Sequence, residues 1–102
     1  MYKTEEGYST IKSVELKELK NLMINPLQEV LSDKQEVKDG YAYTFSGSQN
    51  TLNEICLFIQ FARINFPFLK FELTVQDLNS NIRLKITGPD GTKEFLQNEI
   101  NI

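Results

Sequence analysis

The chain contains no histidine and a single cysteine, Cys56, and these two counts exclude most familiar active-site chemistry. Without an imidazole there is no base of the kind that activates serine or cysteine nucleophiles, and no histidine ligand for zinc. One thiolate is too few for a zinc or iron–sulfur site, because such sites need several protein ligands. Cys56 lies between Ile55 and Leu57, which is typical of an unreactive core cysteine. The sequence therefore predicts no metal and no cofactor.

Three polar residues remain as candidates for ligand binding, and they are Arg63, Tyr43 and Lys93. Arg63 lies in an otherwise apolar stretch, and the hydroxyl of Tyr43 could line a pocket. Lys93 ends a glycine-rich turn, residues 88–93, whose backbone N–H groups could hold a small anion. That turn lacks the Gly-Lys-Ser/Thr ending of a nucleotide P-loop. Each candidate also has a purely structural explanation. Arg63 could pair with a carboxylate at the surface, Tyr43 could pack against a neighbouring strand, and residues 88–93 could be a turn without a ligand.

Composition limits the remaining possibilities to one small globular domain. The chain has 102 residues, of which 40% are hydrophobic, and its formal net charge is -3. Because no block of lysine or arginine occurs, we expect no nucleic-acid partner. The N-terminal residues are polar and the apolar stretches are short and interrupted, so we expect neither a secretory signal nor a membrane span. These features predict a cytoplasmic protein.

Residues 48–75 form the apolar centre of the sequence. Thr51 and Glu54 have the spacing of a capping box, which predicts the start of a helix that is apolar around most of its circumference. Pro67 predicts its end, and the alternating residues that follow predict a half-buried strand. The residues predicted to form the buried face of the sheet are Leu69, Phe71, Leu73, Val75, Ile82, Leu84 and Ile86. The helix residues predicted to pack on this face are Leu52, Ile55, Cys56 and Ile59.

The rest of the chain supplies further helices and hairpins. Residues 1–12 are predicted to be a flexible lead-in, and residues 13–102 a single domain. A first helix capped by Ser13 should break or kink at Asn25-Pro26, while the alternative interpretation makes residues 27–37 one strand. A hairpin turn is predicted at Asp39-Gly40, and a short helix ends the chain. The fold class is therefore two-layer α+β: two hairpins form a mainly antiparallel four-stranded sheet with helices on one face, in the order α-β-β-α-β-β-α.

Two segments carry a resemblance to a known family. They read Phe-Pro-Phe-Leu-Lys-Phe-Glu-Leu-Thr-Val at residues 66–75 and Thr-Gly-Pro-Asp-Gly-Thr-Lys-Glu-Phe-Leu at residues 87–96, with Asp-Gly-Tyr at 39–41. In these segments the chain resembles a family of small, functionally uncharacterised bacterial proteins. Many members carry Glu-Arg-x-Cys-Cys-Pro-Phe before the first segment, whereas this chain has Ala62-Arg63-Ile64-Asn65-Phe66-Pro67-Phe68. The resemblance implies the fold and no activity, since the cysteine pair is missing.

The function itself is unknown from the sequence, and two hypotheses follow. The first is a noncatalytic binding or assembly module that forms a homodimer, because the predicted helix has more apolar surface than one sheet can cover. Its interface would contain the residues predicted to point away from the sheet, Leu57, Phe58, Phe61 and Ile64. The alternative is a small-ligand-binding or enzymatic domain with a pocket near Arg63, Tyr43 and Lys93.

Overall fold

The computed structural model describes the backbone of residues 13–102 and the side chains from residue 16 onward. The predicted lead-in, residues 1–12, lies outside the described part. The elements, in chain order, are α1 (Ser13–Val30), β1 (Leu31–Val37), β2 (Gly40–Phe45), α2 (Gln49–Asn65), β3 (Lys70–Thr74), β4 (Ile82–Thr87) and α3 (Thr92–Phe95), followed by a π-helix (Leu96–Ile100).

The four strands form one antiparallel sheet in the spatial order β1-β2-β4-β3. β2 and β4 are therefore the central pair, and β1 and β3 are the edges. This arrangement confirms the predicted α+β fold class and the order α-β-β-α-β-β-α. Among the described residues no helix has an apolar run long enough to cross a membrane.

The core lies between the sheet and the helices. Alternate residues of the central strands point toward the helices, as the period of two predicts, so that Tyr43 faces Leu84 across the β2–β4 pair. One continuous cluster joins these strands to both long helices and to the C-terminal residues. Its members are Ile24, Leu27, Tyr41, Tyr43, Phe45, Ile55, Phe58, Ala62, Leu69, Ile82, Leu84, Ile86, Leu96, Ile100 and Ile102.

The first helix does not break at Asn25-Pro26, which corrects the prediction made for this segment. α1 continues through Pro26 to Val30, so the alternative of one strand over residues 27–37 is wrong for residues 27–30, whereas residues 31–37 do form the strand β1. Ile24 and Leu27, on either side of the proline, are both buried in the core. The carbonyl that loses its hydrogen bond to proline belongs to Leu22, an exposed residue whose backbone water can reach. Burial of the flanking residues therefore outweighs the lost bond.

Two element boundaries also differ from the predicted ones. α2 begins at Gln49, because the Oγ of Ser48 accepts a hydrogen bond from the backbone N–H of Thr51 at 3.0 Å. The expected capping box at Thr51 is therefore inside the helix. In the first hairpin Val37 pairs with Gly40, so the turn residues are Lys38 and Asp39 rather than Asp39 and Gly40.

β3 lies at an edge of the sheet, and this changes the predicted buried face. Ile82, Leu84 and Ile86 are buried as expected. Leu73 is 37% exposed and Val75 is 45% exposed, because a strand at the margin of the sheet reaches beyond the cover that the helices provide.

α2 is also rotated relative to the predicted face. The residues of this helix that are buried are Thr51, Ile55, Phe58, Phe61 and Ala62. Leu52 and Ile59 are only partly buried and lie at the side of the buried stripe. The ring of Phe58 meets the ring of Phe71 edge-on, with 6.4 Å between centroids, and Ile55 and Ala62 of the same helix also lie in the core.

Candidate functional site

The structure does not bring the three predicted ligand residues together. Arg63 is exposed in the last turn of α2, whereas Tyr43 is fully buried in β2. Lys93 lies in α3, where its Nζ is 2.6 Å from Oε2 of Glu36. No hydrogen bond or ion pair of the described residues joins any two of the three. The three side chains therefore do not line a common pocket.

A polar cluster does lie where β1 meets the C-terminal helices, and we call it the β1 cluster: Lys34, Glu36, Tyr41, Lys93 and Gln97. The Nζ of Lys34 lies over the ring of Tyr41, 4.6 Å from its centroid. Gln97 donates a hydrogen bond from Nε2 to the hydroxyl of Tyr41 at 2.5 Å. The hydrogen bond to Glu36 raises the pKa of Lys93. Every charge in the cluster thus has a partner, which suits a structural role.

The C-terminal residues close over the same edge of the sheet. The Nζ of Lys34 donates a hydrogen bond to the carbonyl of Ile102 at 3.2 Å. Gln28, on α1, bonds through its Nε2 to the carbonyl of Asn101. The helix side of β1 is therefore occupied by the chain itself. Lys34 and Glu36 could not be singled out from the sequence, because charged residues on an edge strand carry no local signal of a contact with residues so distant in the chain.

The hydroxyl of Tyr43 is the one buried side-chain oxygen or nitrogen of the described residues that has no hydrogen-bond partner. Burial raises the pKa of Tyr43, and the neighbouring Tyr41 raises it further, so this hydroxyl stays neutral. A buried hydroxyl without a partner destabilises a protein by about 1–3 kcal/mol. Such a group either is tolerated as a packing feature or meets a bound molecule.

Replacing Tyr43 by phenylalanine tests which of these holds. We expect Tyr43→Phe to raise the free energy of unfolding by about 1 kcal/mol, because the unpartnered hydroxyl is removed and the ring remains. Tyr41→Phe is the matched control: it loses the hydrogen bond from Gln97 and should lower that free energy by about 1 kcal/mol. Urea unfolding measures both. A clear loss of stability in Tyr43→Phe would mean that the hydroxyl has a partner in solution.

The predicted interface residues of α2 divide into two groups. Phe58 is fully buried and Phe61 is buried against the ring of Phe66, so neither side chain can face a partner, which corrects the prediction for these two. Leu57 is 55% exposed and Ile64 is 80% exposed on the outer side of the helix. The sequence did not distinguish the groups, because a helix that is apolar around its circumference has no preferred face.

Groups that could perform metal or thiol chemistry are not assembled in the described part of the chain. No three carboxylate or thiol side chains lie close enough there to hold a metal ion. Cys56 is a free thiol and is partly exposed at the side of α2, so the expectation that it is a core residue is corrected.

The most distinctive surface is the outer side of β3. In the described residues β3 has a neighbouring strand on one side only, which leaves a row of backbone N–H and C=O groups open. Beside it lie three exposed apolar side chains, Leu73, Val75 and Leu78, which we call the β3 flank. Leu78 is 72% exposed in the turn after the strand, a turn held by Asp77, whose carboxylate accepts from the backbone N–H of Asn79 at 3.0 Å.

The opposite edge of the sheet is protected in ways that β3 is not. The register of β1 shifts between Leu31 and Asp33, a bulge that interrupts regular pairing. Its middle residues are polar or charged, and Lys34 and Glu36 are held by the C-terminal residues. β3 has no such irregularity in its pairing with β4. The two edges therefore differ in their readiness to accept another strand.

No family model, curated protein or solved structure matches this chain. The resemblance of residues 66–75 and 87–96 to the uncharacterised bacterial family therefore stays a prediction.

Proposed function

We propose that this protein is a small noncatalytic binding module whose partner is a second copy of itself. The observation that carries the proposal is the open edge of β3 together with the β3 flank. An unpaired, regular edge strand next to exposed apolar side chains is a surface that proteins usually cover. A twofold homodimer is the commonest way to cover such a surface. In this proposal the homodimer acts in the cytoplasm, and its assembly needs no cofactor, metal or nucleic acid.

The proposed self-association predicts a mass of about twice the 11.8 kDa of the chain in light scattering at micromolar concentration. Leu73→Glu should reduce the mass to that of one chain, because it places a charge in the β3 flank. Leu57→Glu is the matched control, since it makes the same change on the exposed outer side of α2. A parent that is monomeric under these conditions would contradict self-association.

The same experiment separates two possible interfaces. If Leu57→Glu or Ile64→Glu gives the monomer and Leu73→Glu does not, the copies meet through the outer side of α2, as the sequence predicted. Phe58→Glu and Phe61→Glu are unsuitable for this purpose. Both place a charge in a buried site, so they would disrupt folding rather than report on an interface.

A small-ligand-binding domain is the second candidate function, and the unpartnered hydroxyl of Tyr43 is the observation that favours it. Arg63 and Lys93 give it no support, because one is exposed on α2 and the other is paired with Glu36. The stability of Tyr43→Phe tests this candidate: a stabilised variant removes its support, and a destabilised one favours an occupied site around the hydroxyl.

A further inference from the structure

We infer that the two copies join by antiparallel pairing of β3 with the partner's β3, centred on Phe71, so that two four-stranded sheets become one continuous sheet. This inference rests on the proposed self-association and specifies its geometry. The twofold axis would run perpendicular to the sheet, which keeps the helices of both copies on the same side. Side chains on the face of the sheet that the helices do not cover, which we call the open face, then lie beside the partner's side chains on that same face.

Which residues face each other depends on the register, and the charges of β3 select among the possibilities. β3 places Lys70, Glu72 and Thr74 on the open face of the sheet, opposite Thr87, Lys85 and Arg83 of β4. Only registers that pair residues of the same face are compatible with a continuous sheet, because the side chains alternate. In each such register one residue lies at the twofold axis and pairs with the same residue of the partner. Near the middle of the strand this residue is Phe71, Glu72 or Leu73, which gives three possible registers.

The register centred on Phe71 is the one with complementary charges. It places Lys70 opposite the partner's Glu72 twice, once on each side of the axis. Centring on Glu72 would place two glutamates opposite each other, which is destabilising in an antiparallel pair. Centring on Leu73 would place Glu72 opposite the partner's Thr74 and leave the charges unpaired. Opposite charges directly across an antiparallel pair stabilise it, so the first register is favoured.

Contacts inside one copy fit this register as well. Nζ of Lys85 lies 3.4 Å from Oε2 of Glu72, so charges already alternate across the β4–β3 pair. Within residues 16–102 no carboxylate lies at ion-pair distance from Lys70. Adding the partner's strand continues the alternation from Lys85 to Glu72 to the partner's Lys70. On the helix side the same register brings Leu73 opposite the partner's Leu69, which covers an exposed side chain of the β3 flank.

Charge reversal tests the register directly. Lys70→Glu would face the partner's Glu72 with like charge at both sites, and Glu72→Lys would do the same with Lys70. For each variant alone we expect a dimer dissociation constant on the order of 10- to 100-fold higher than that of the parent.

An equal mixture of the two variants should restore the pairing. In a heterodimer the glutamate introduced at position 70 of one variant would face the lysine introduced at position 72 of the other. The unchanged Glu72 of the first variant would face the unchanged Lys70 of the second. Every charge across the interface is then opposite in sign, so heterodimers should form with an affinity near that of the parent, measured by sedimentation velocity.

The control and the contradicting outcomes separate this inference from the proposed function. Arg83→Glu reverses a charge on the same face of the neighbouring strand, away from the edge, and should leave dimerisation unchanged. Circular dichroism establishes that each variant is folded. If the parent is dimeric and Lys70→Glu is equally dimeric, or if the mixture stays monomeric, the β3 register is wrong and self-association stands. A monomeric parent overturns both.

Discussion

Phe58→Ala should lower the free energy of unfolding by about 3–5 kcal/mol, a large part of what stabilises a domain of this size. Phe58 is fully buried, belongs to the core cluster and meets the ring of Phe71 edge-on. Removing its ring loses apolar burial and leaves a cavity that the packed strands and helices fill only in part. Urea or thermal unfolding of the purified variant measures the loss.

The neighbouring residue supplies the control for that substitution. Leu57→Ala changes the same turn of α2, but the side chain is 55% exposed, so we expect a change within about 0.5 kcal/mol. Comparable losses in the two variants would mean that α2 presents a different face to the sheet.

Gly40→Ala should be nearly as damaging, with an expected loss of about 3 kcal/mol. Gly40 begins β2 and pairs with Thr87 of β4. A Cβ at this position would lie 1.8 Å from the backbone oxygen of Ile86, a distance that no pair of nonbonded atoms can keep. The central strands would have to separate at this end, and the melting temperature should fall by more than about 10 °C.

Gly91→Ala is the control that isolates the steric effect. Gly91 has φ 92°, and a Cβ there would have no atom within 4 Å. Its replacement by alanine should therefore cost only the backbone strain of that conformation, about 1 kcal/mol. If Gly40→Ala is no more destabilising than Gly91→Ala, then β2 and β4 do not approach each other this closely at Gly40.

Much of the fold could be predicted because local patterns agree with the final packing. The alternation of Ile82, Leu84 and Ile86 predicted both a strand and its buried face, and all three are buried. The end of the second helix before Pro67 was also predicted, and α2 ends at Asn65. In these segments the covalent geometry of proline and the period of a strand determine the outcome without help from distant residues.

Strand order and helix rotation could not be predicted, since both depend on residues far away in the chain. Leu73 and Val75 have the pattern of a buried strand, but the partner on their outer side is missing in the described sheet. Phe58 and Leu57 are both apolar, and which of them is buried depends on the core cluster that Phe58 joins, whose members come from distant parts of the chain. Single-sequence periodicity contains neither piece of information.

The candidate site was predicted least well. Arg63, Tyr43 and Lys93 were chosen by residue type, whereas their positions in the fold separate them. The open edge of β3 is a property of the sheet as a whole. Its sequence shows only alternating Lys70, Glu72 and Thr74, and that pattern would look the same in a strand paired on both sides.

The spatial order β1-β2-β4-β3 has a consequence for how the protein is made. β4 is the last of the four strands to leave the ribosome, yet it is the strand that joins β2 to β3. Until residues 82–87 are available, no strand pairs with both β2 and β3, although α2 links them along the chain, and the helices have an incomplete sheet to cover. Nascent chains that end before residue 82 therefore leave the apolar faces of β2 and β3 without the strand that lies between them, and the complete sheet can form only after β4 has been made.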